Sequence, residues 1–84
     1  MKPSELEFKE IAHFDQKEVV CNCCGVAEVP FGWYSAEIFI AENATWDVFI
    51  CSDDCMDTFI QHPLTESLLD ERTAYLTSLH QMIH

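Results

Sequence analysis

The segment Phe49-Ile50-Cys51-Ser52-Asp53-Asp54-Cys55-Met56-Asp57-Thr58-Phe59 decides the reading of this chain. Ahead of Cys51, the residues Trp46, Val48 and Ile50 alternate with Thr45, Asp47 and Phe49, the period of a strand with two unlike faces. After it, Ser52 with Asp53 and Asp54 reads as a helix start. A short side-chain oxygen caps free amides, and acids suit the positive end of the helix dipole. The helix runs over roughly residues 53–61, and His62-Pro63 ends it. Cys51 and Cys55 stand four apart, one helical turn, so both thiols can face one point from a helix N-terminus. The dipole there favours thiolate over thiol.

Upstream, Trp33 to Ile40 is a second run rich in aromatic and β-branched residues. With Glu42-Asn43-Ala44 between it and Thr45 to Cys51, the pattern predicts a β-hairpin. Trp33, Tyr34 and Trp46 are expected to pack across it. Further back, Glu18 to Cys21 reads as a short strand entering the turn Cys21-Asn22-Cys23-Cys24-Gly25. Two cysteines three apart on a tight turn can both point inward, and Gly25 lets the turn close without a Cβ clash. The two cysteine pairs are separated by 26 residues. Tetrahedral zinc takes four such donors, at about 2.3 Å for sulfur. Cys21, Cys24, Cys51 and Cys55 are therefore expected to hold one structural zinc ion, gripped by a turn and a helix N-terminus from either side of a hairpin. A sphere closed by four thiolates leaves no position for water, which argues for scaffolding rather than catalysis.

Composition points the same way. A chain of 84 residues has little core, and a metal, disulfides or a partner usually make up the shortfall. Its 49% apolar residues exclude a largely disordered chain, and no apolar run is long enough to span a membrane. The N-terminus is acidic and does not read as an export signal, so a reducing cytoplasm is expected, where clustered cysteines are metal ligands rather than disulfides. Five cysteines cannot all pair, whereas four ligands and one spare can coexist.

Fifteen acids stand against four bases, for a formal charge of −11. Between Glu18 and Glu71 there are eleven acids and neither lysine nor arginine. A nucleic-acid finger neutralises phosphates with basic side chains; this chain would repel them. A negative surface instead favours partners with basic faces. Glu37, Glu42, Asp47, Asp53, Asp54 and Asp57 are the candidate partner-binding residues.

The two ends of the chain are read apart from this centre. Residues 4–14 suit either a short helix, with Ser4 and Glu7 as a capping box and Leu6, Ile11 and Phe14 roughly on one face, or a strand alternating at Leu6 and Phe8; a short helix is the expectation. A second helix follows over 65–83, with Thr65 as its cap and Leu68, Leu69, Tyr75, Leu76, Leu79, Met82 and Ile83 as its apolar stripe. That stripe is expected to pack on the rest of the chain, with a homodimer through this helix as the alternative. Cys23 is expected to point outward. His80 and His84, one turn apart, read as solvated surface rather than a second metal site, and His13 and His62 have no catalytic context.

The Cys-x-x-Cys-Gly turn, the hairpin ending in Phe49-Ile50-Cys51 and the run Cys51-Ser52-x-x-Cys55-x-x-x-Phe59 resemble the treble-clef zinc fingers, most of all the TRASH and MYM-type group. The resemblance covers about residues 19–61 and implies an α+β treble clef with a bound zinc ion. The roles it implies run from scaffolding to metal sensing and protein binding. Two features depart from it: the absence of any base across the motif, and the extra Cys23 inside the turn.

Taken as one domain over 1–84, with a zinc core at 19–61, the chain is expected to be a non-enzymatic protein-interaction module that meets a basic partner. Its size and acidity suit a phage or mobile-element inhibitor that mimics nucleic-acid charge. The rival expectation is a metal sensor or metallochaperone of the TRASH type. An enzyme would need an open metal position or an activated thiol.

Overall fold

The computed structural model describes residues 2–12 and 17–83. Its regular elements are a 3-10 turn at Pro3–Glu5, strands β1 (Lys9–Glu10), β2 (Val19–Val20), β3 (Ala27–Glu28), β4 (Tyr34–Ala41) and β5 (Ala44–Ile50), and helices α1 (Asp53–Gln61) and α2 (Thr65–Ile83). The architecture is α+β, as expected. One antiparallel sheet has the order β1-β4-β5, and β2 with β3 forms a second, two-stranded one.

The hairpin β4–β5 runs in register from Tyr34 opposite Ile50 to Ala41 opposite Ala44, with one irregularity between Phe39 and Ala41. Asn43 closes its turn at φ 63°, a left-handed conformation that asparagine tolerates. Alternation sorts the faces. Ala36 and Ile38 of β4 and Val48 and Ile50 of β5 are buried, while Glu37 and Asp47 are exposed. Phe59 of α1 and Leu69 of α2 cover the buried face and complete a core with Ile38, Val48 and Ile50. The Trp46 indole N–H donates to the Thr73 hydroxyl at 3.1 Å and ties α2 to β5.

Three expectations are corrected. Among its described residues the N-terminal segment forms no α-helix, and its 3-10 turn has no side-chain cap. After the 3-10 turn it extends, places Leu6 and Phe8 against the core, and pairs Lys9 with Ser35 and Glu10 with Tyr34. Ile11 then buries itself beside Trp33. The strand alternative prevails because the β4 edge offers hydrogen bonds and a core face together, which a free-standing short helix cannot match. Phe14 and His13 lie outside the described residues.

Thr65 is the first residue of α2 rather than its cap. It is buried, and its N–H donates to the His62 carbonyl at 3.2 Å. The stripe of α2 is also only partly absorbed. Leu69 is fully buried and Leu76 half-buried, but Leu68, Tyr75, Leu79 and Met82 remain exposed.

Candidate metal centre

The turn that carries the first cysteine pair closes the β2–β3 hairpin, where Val19 pairs with Glu28 and Val20 with Ala27. The Cys21 N–H donates to the Val26 carbonyl at 2.9 Å and the Gly25 N–H to the Cys21 carbonyl at 3.0 Å. Gly25 sits at φ +83°, a conformation that costs a residue with a Cβ. The second pair is delivered by a different device from one helical turn. Cys51 lies just past β5 and precedes the cap, so only Cys55 belongs to α1. Ser52 is extended (φ −158°, ψ 166°) and its hydroxyl accepts from the Cys55 N–H at 3.2 Å. The reversal at this cap, not the helical repeat, brings the two sulfurs together.

The four sulfurs converge. Sγ of Cys24 is 3.5 Å from Sγ of Cys51, which is 3.6 Å from Sγ of Cys55, and the Sγ atoms of Cys21, Cys24, Cys51 and Cys55 all lie within 4.8 Å of one another. A disulfide would bring two sulfurs to about 2.05 Å; all five cysteines are free thiols. For zinc, a tetrahedron with bonds of about 2.3 Å has sulfur–sulfur edges of about 3.8 Å. The 3.5 and 3.6 Å separations lie near that figure, the remaining ones stay within 4.8 Å, and four sulfur donors suit a soft or borderline metal.

Two apolar clusters flank the centre. On one side lie Ile11, Trp33 and the buried Cys21, and on the other the main core; Cys23 and Cys55 touch both. The expectation that Cys23 points outward is therefore corrected. It is half-buried, because the turn places it over the seam between the clusters, where a small apolar thiol packs well. Cys24 is the exposed member of the four ligand candidates.

The thiols are electrostatically unlike. Burial opposes ionisation of Cys21, but hydrogen bonds from the backbone of Cys24, Cys23 and Cys51 outweigh it and lower its pKa to about 7. Burial, followed by the neighbouring thiols of Cys24, Cys55 and Cys21, pushes Cys51 up to about 12. Burial and the adjacent Cys55 also raise Cys23. Four thiolates in this space repel one another unless a cation lies among them, and a divalent ion reverses the balance by favouring the deprotonated form of each ligand.

Asn22 escaped the sequence reading. Its backbone N–H donates to the Phe49 carbonyl, and its side-chain Oδ1 accepts from the Phe49 N–H, each at 2.8 Å. These bonds clamp the turn carrying Cys21 and Cys24 onto the strand that ends at Cys51. An asparagine between cysteines is a weak signal, since the partner is 27 residues away.

The acidic candidates fall into separate groups. Glu37 and Asp47 face each other across the hairpin, Glu42 sits in its turn, and Asp53, Asp54 and Asp57 lie on α1. All six are exposed. Asp53 is engaged by Tyr34, whose phenol it raises through a hydrogen bond and its charge. Although Asp47 is exposed, partial desolvation of its carboxyl by the neighbouring chain, followed by the charge of Glu37, raises its pKa. His62 caps the end of α1, where its Nδ1 accepts from the Leu64 N–H at 3.1 Å. His84 lies outside the described residues.

No protein-family model matches the chain, and no curated protein or solved structure matches it. The likeness to TRASH and MYM-type fingers thus stands on residue spacing, and the arrangement of turn, hairpin, helix and cysteine cluster is compatible with a treble clef. No helix among the described residues is long and apolar enough to cross a membrane.

Proposed function

We propose that this chain is a zinc-stabilised, non-enzymatic protein-interaction module whose acidic surface meets a basic partner. The observation that carries the reading is the thiol-only cluster itself. Four sulfurs within 4.8 Å of one another join the β2–β3 turn, the end of β5 and the start of α1, in a chain too short to bury a large core. Zinc fits them because it favours four-coordinate sulfur sites without redox demands. Held there, the ion would be a cross-link in the folded state, with Cys21, Cys24, Cys51 and Cys55 as its ligands.

With the sphere filled, binding falls to the surface, where eleven acids and no base occur between Glu18 and Glu71. The finer form of the proposal is an inhibitor or adaptor, of phage or mobile-element type, that occupies a nucleic-acid-binding face by charge. It rests on size and acidity. Affinity purification from a lysate at graded salt tests it. Capture of basic proteins that weakens as salt rises supports the module, while capture of none, or salt-insensitive capture, overturns it.

The exposure of Cys24 favours a second reading, a metal sensor or metallochaperone, since a competing ligand can reach the ion from that side. Metal that leaves to a chelator while the fold persists would support it. Metal that leaves only on unfolding supports the structural role.

A further inference from the structure

We propose that the open edge of β5 is a docking site for an extended, lysine- or arginine-bearing segment of a partner protein, which would add to the sheet as a fourth strand. This rests on the reading of the chain as an acidic interaction module, and assigns that module a place and a mode of binding.

The sheet order β1-β4-β5 leaves β5 at an edge. Both backbone groups of Phe49 are bonded to Asn22, so they point away from β4. In an antiparallel pair the outward groups recur at every second residue. Those of Asp47 and Thr45 therefore face the same way, and among the described residues they have no partner. Asn22 occupies one end of the edge and leaves the rest open.

A groove of about 620 Å³ lies beside Trp46, Asp47 and Phe49 at this edge, with Asn22 also in its lining. Its lining includes Trp46 from one face of β5 and Asp47 and Phe49 from the other, which places it beyond the strand's margin rather than over either face. The opposite wall is Val20 of β2 with Leu68 and Tyr75 of α2, each more than half exposed. Unpaired backbone groups beside apolar side chains are what strand addition uses. The ladder supplies affinity and alternate side chains enter pockets. A helix would leave the open N–H and C=O groups unanswered, because its own are already paired.

Charge selects the occupant. Asp47 and Glu71 line the groove, with Glu37 opposite Asp47 on β4 and Glu28 opposite Val19 on β3. The base in the lining, Arg72, is turned onto the Tyr75 ring at 5.7 Å. A second copy of this chain would bring its own acids to the same place and be repelled. A basic strand would set cations against these carboxylates.

The test titrates the metal-loaded, isotope-labelled full chain with a capped heptapeptide of alternating lysine and valine. The Thr45 and Asp47 amides are expected to shift and to exchange about tenfold or more slowly. N-methylation of alternate peptide nitrogens, in the register that blocks pairing, is expected to weaken binding about tenfold. Leu68→Ala and Tyr75→Ala, at exposed positions, are expected to weaken it severalfold, and Glu71→Lys more at low salt than at high.

Absence of binding, binding that leaves both amides unshifted, or binding that survives N-methylation in both registers overturns the proposal. So do concentration-dependent shifts of the same amides without peptide, which would mean self-pairing. If the peptide fails while basic proteins are still captured in a salt-sensitive way, the edge site falls and the module reading stands. If no basic protein is captured, both fall.

Discussion

Asn22 and Phe49 exchange two hydrogen bonds of 2.8 Å, one through the Asn22 backbone and one through its side chain. The turn bearing Cys21 and Cys24 is thereby held against the strand that delivers Cys51. Removing the side chain leaves the Phe49 N–H without its acceptor. Asn22→Ala is expected to lower stability by about 1 kcal/mol, the usual net worth of such a bond near solvent. It should also speed metal loss to a chelator, whereas Asn22→Asp, which keeps the acceptor, should restore much of both. Denaturant melts and chelator kinetics on the three proteins check this.

The metal is expected to be inseparable from the fold. Structural zinc in small peptides contributes on the order of 10–16 kcal/mol, comparable to the whole stability of a small domain. Metal removal should abolish the near-ultraviolet circular dichroism of Trp33 and Trp46, and readdition of one equivalent should restore it. Cobalt(II) in its place should show the visible bands of a tetrahedral thiolate complex, and Cys51→Ser should lose them.

Cys23 separates packing from ligation. It touches both apolar clusters yet stands outside the four-sulfur group. Cys23→Ala should leave one metal per chain by native mass spectrometry and cost about 1 kcal/mol through lost contacts. Loss of the metal in this variant would show that the ligand set is different.

The two faces of α2 should respond oppositely to truncation. Leu69 is fully buried, so Leu69→Ala should cost about 2–5 kcal/mol, while Met82, 81% exposed, should tolerate serine within about 0.5 kcal/mol. Thermal melts of the two variants distinguish them without reference to any partner.

Asp47 introduces a pH dependence of defined sign. Partial desolvation and Glu37 raise its carboxyl above the ordinary 3.8, so the folded state holds a proton that the unfolded chain has already released. This contribution is favourable at and below that value and is lost as pH rises through the elevated one. Directly opposed like charges on a sheet cost about 0.2–1 kcal/mol, and exposure keeps this pair at the low end. Asp47→Asn should therefore stabilise the protein slightly at neutral pH and flatten stability against pH just above 3.8. Melts across that range check both.

What the amino-acid sequence determined by itself is the local chemistry around Cys21–Gly25 and Thr45–Phe59. Alternation separates Val48 and Ile50 from Asp47 because a strand has period two, and Ser52 starts a helix because its hydroxyl caps a nearby amide. Such features depend on neighbours a few residues away, and the spacing of the four cysteines carries them with it. The tertiary structure decided everything that depends on distant partners. It drew residues 9–10 into the sheet although residues 4–14 suit a short helix, since β4 offered an edge to pair with. It also turned Cys23 inward between two clusters, clamped Asn22 to Phe49, and left Leu68 and Tyr75 exposed along an unpaired strand although their periodicity matched that of Leu69. A periodic apolar stripe shows which side of a helix is apolar; how much of it is covered depends on the width of the surface it meets, and here that surface ends at β5.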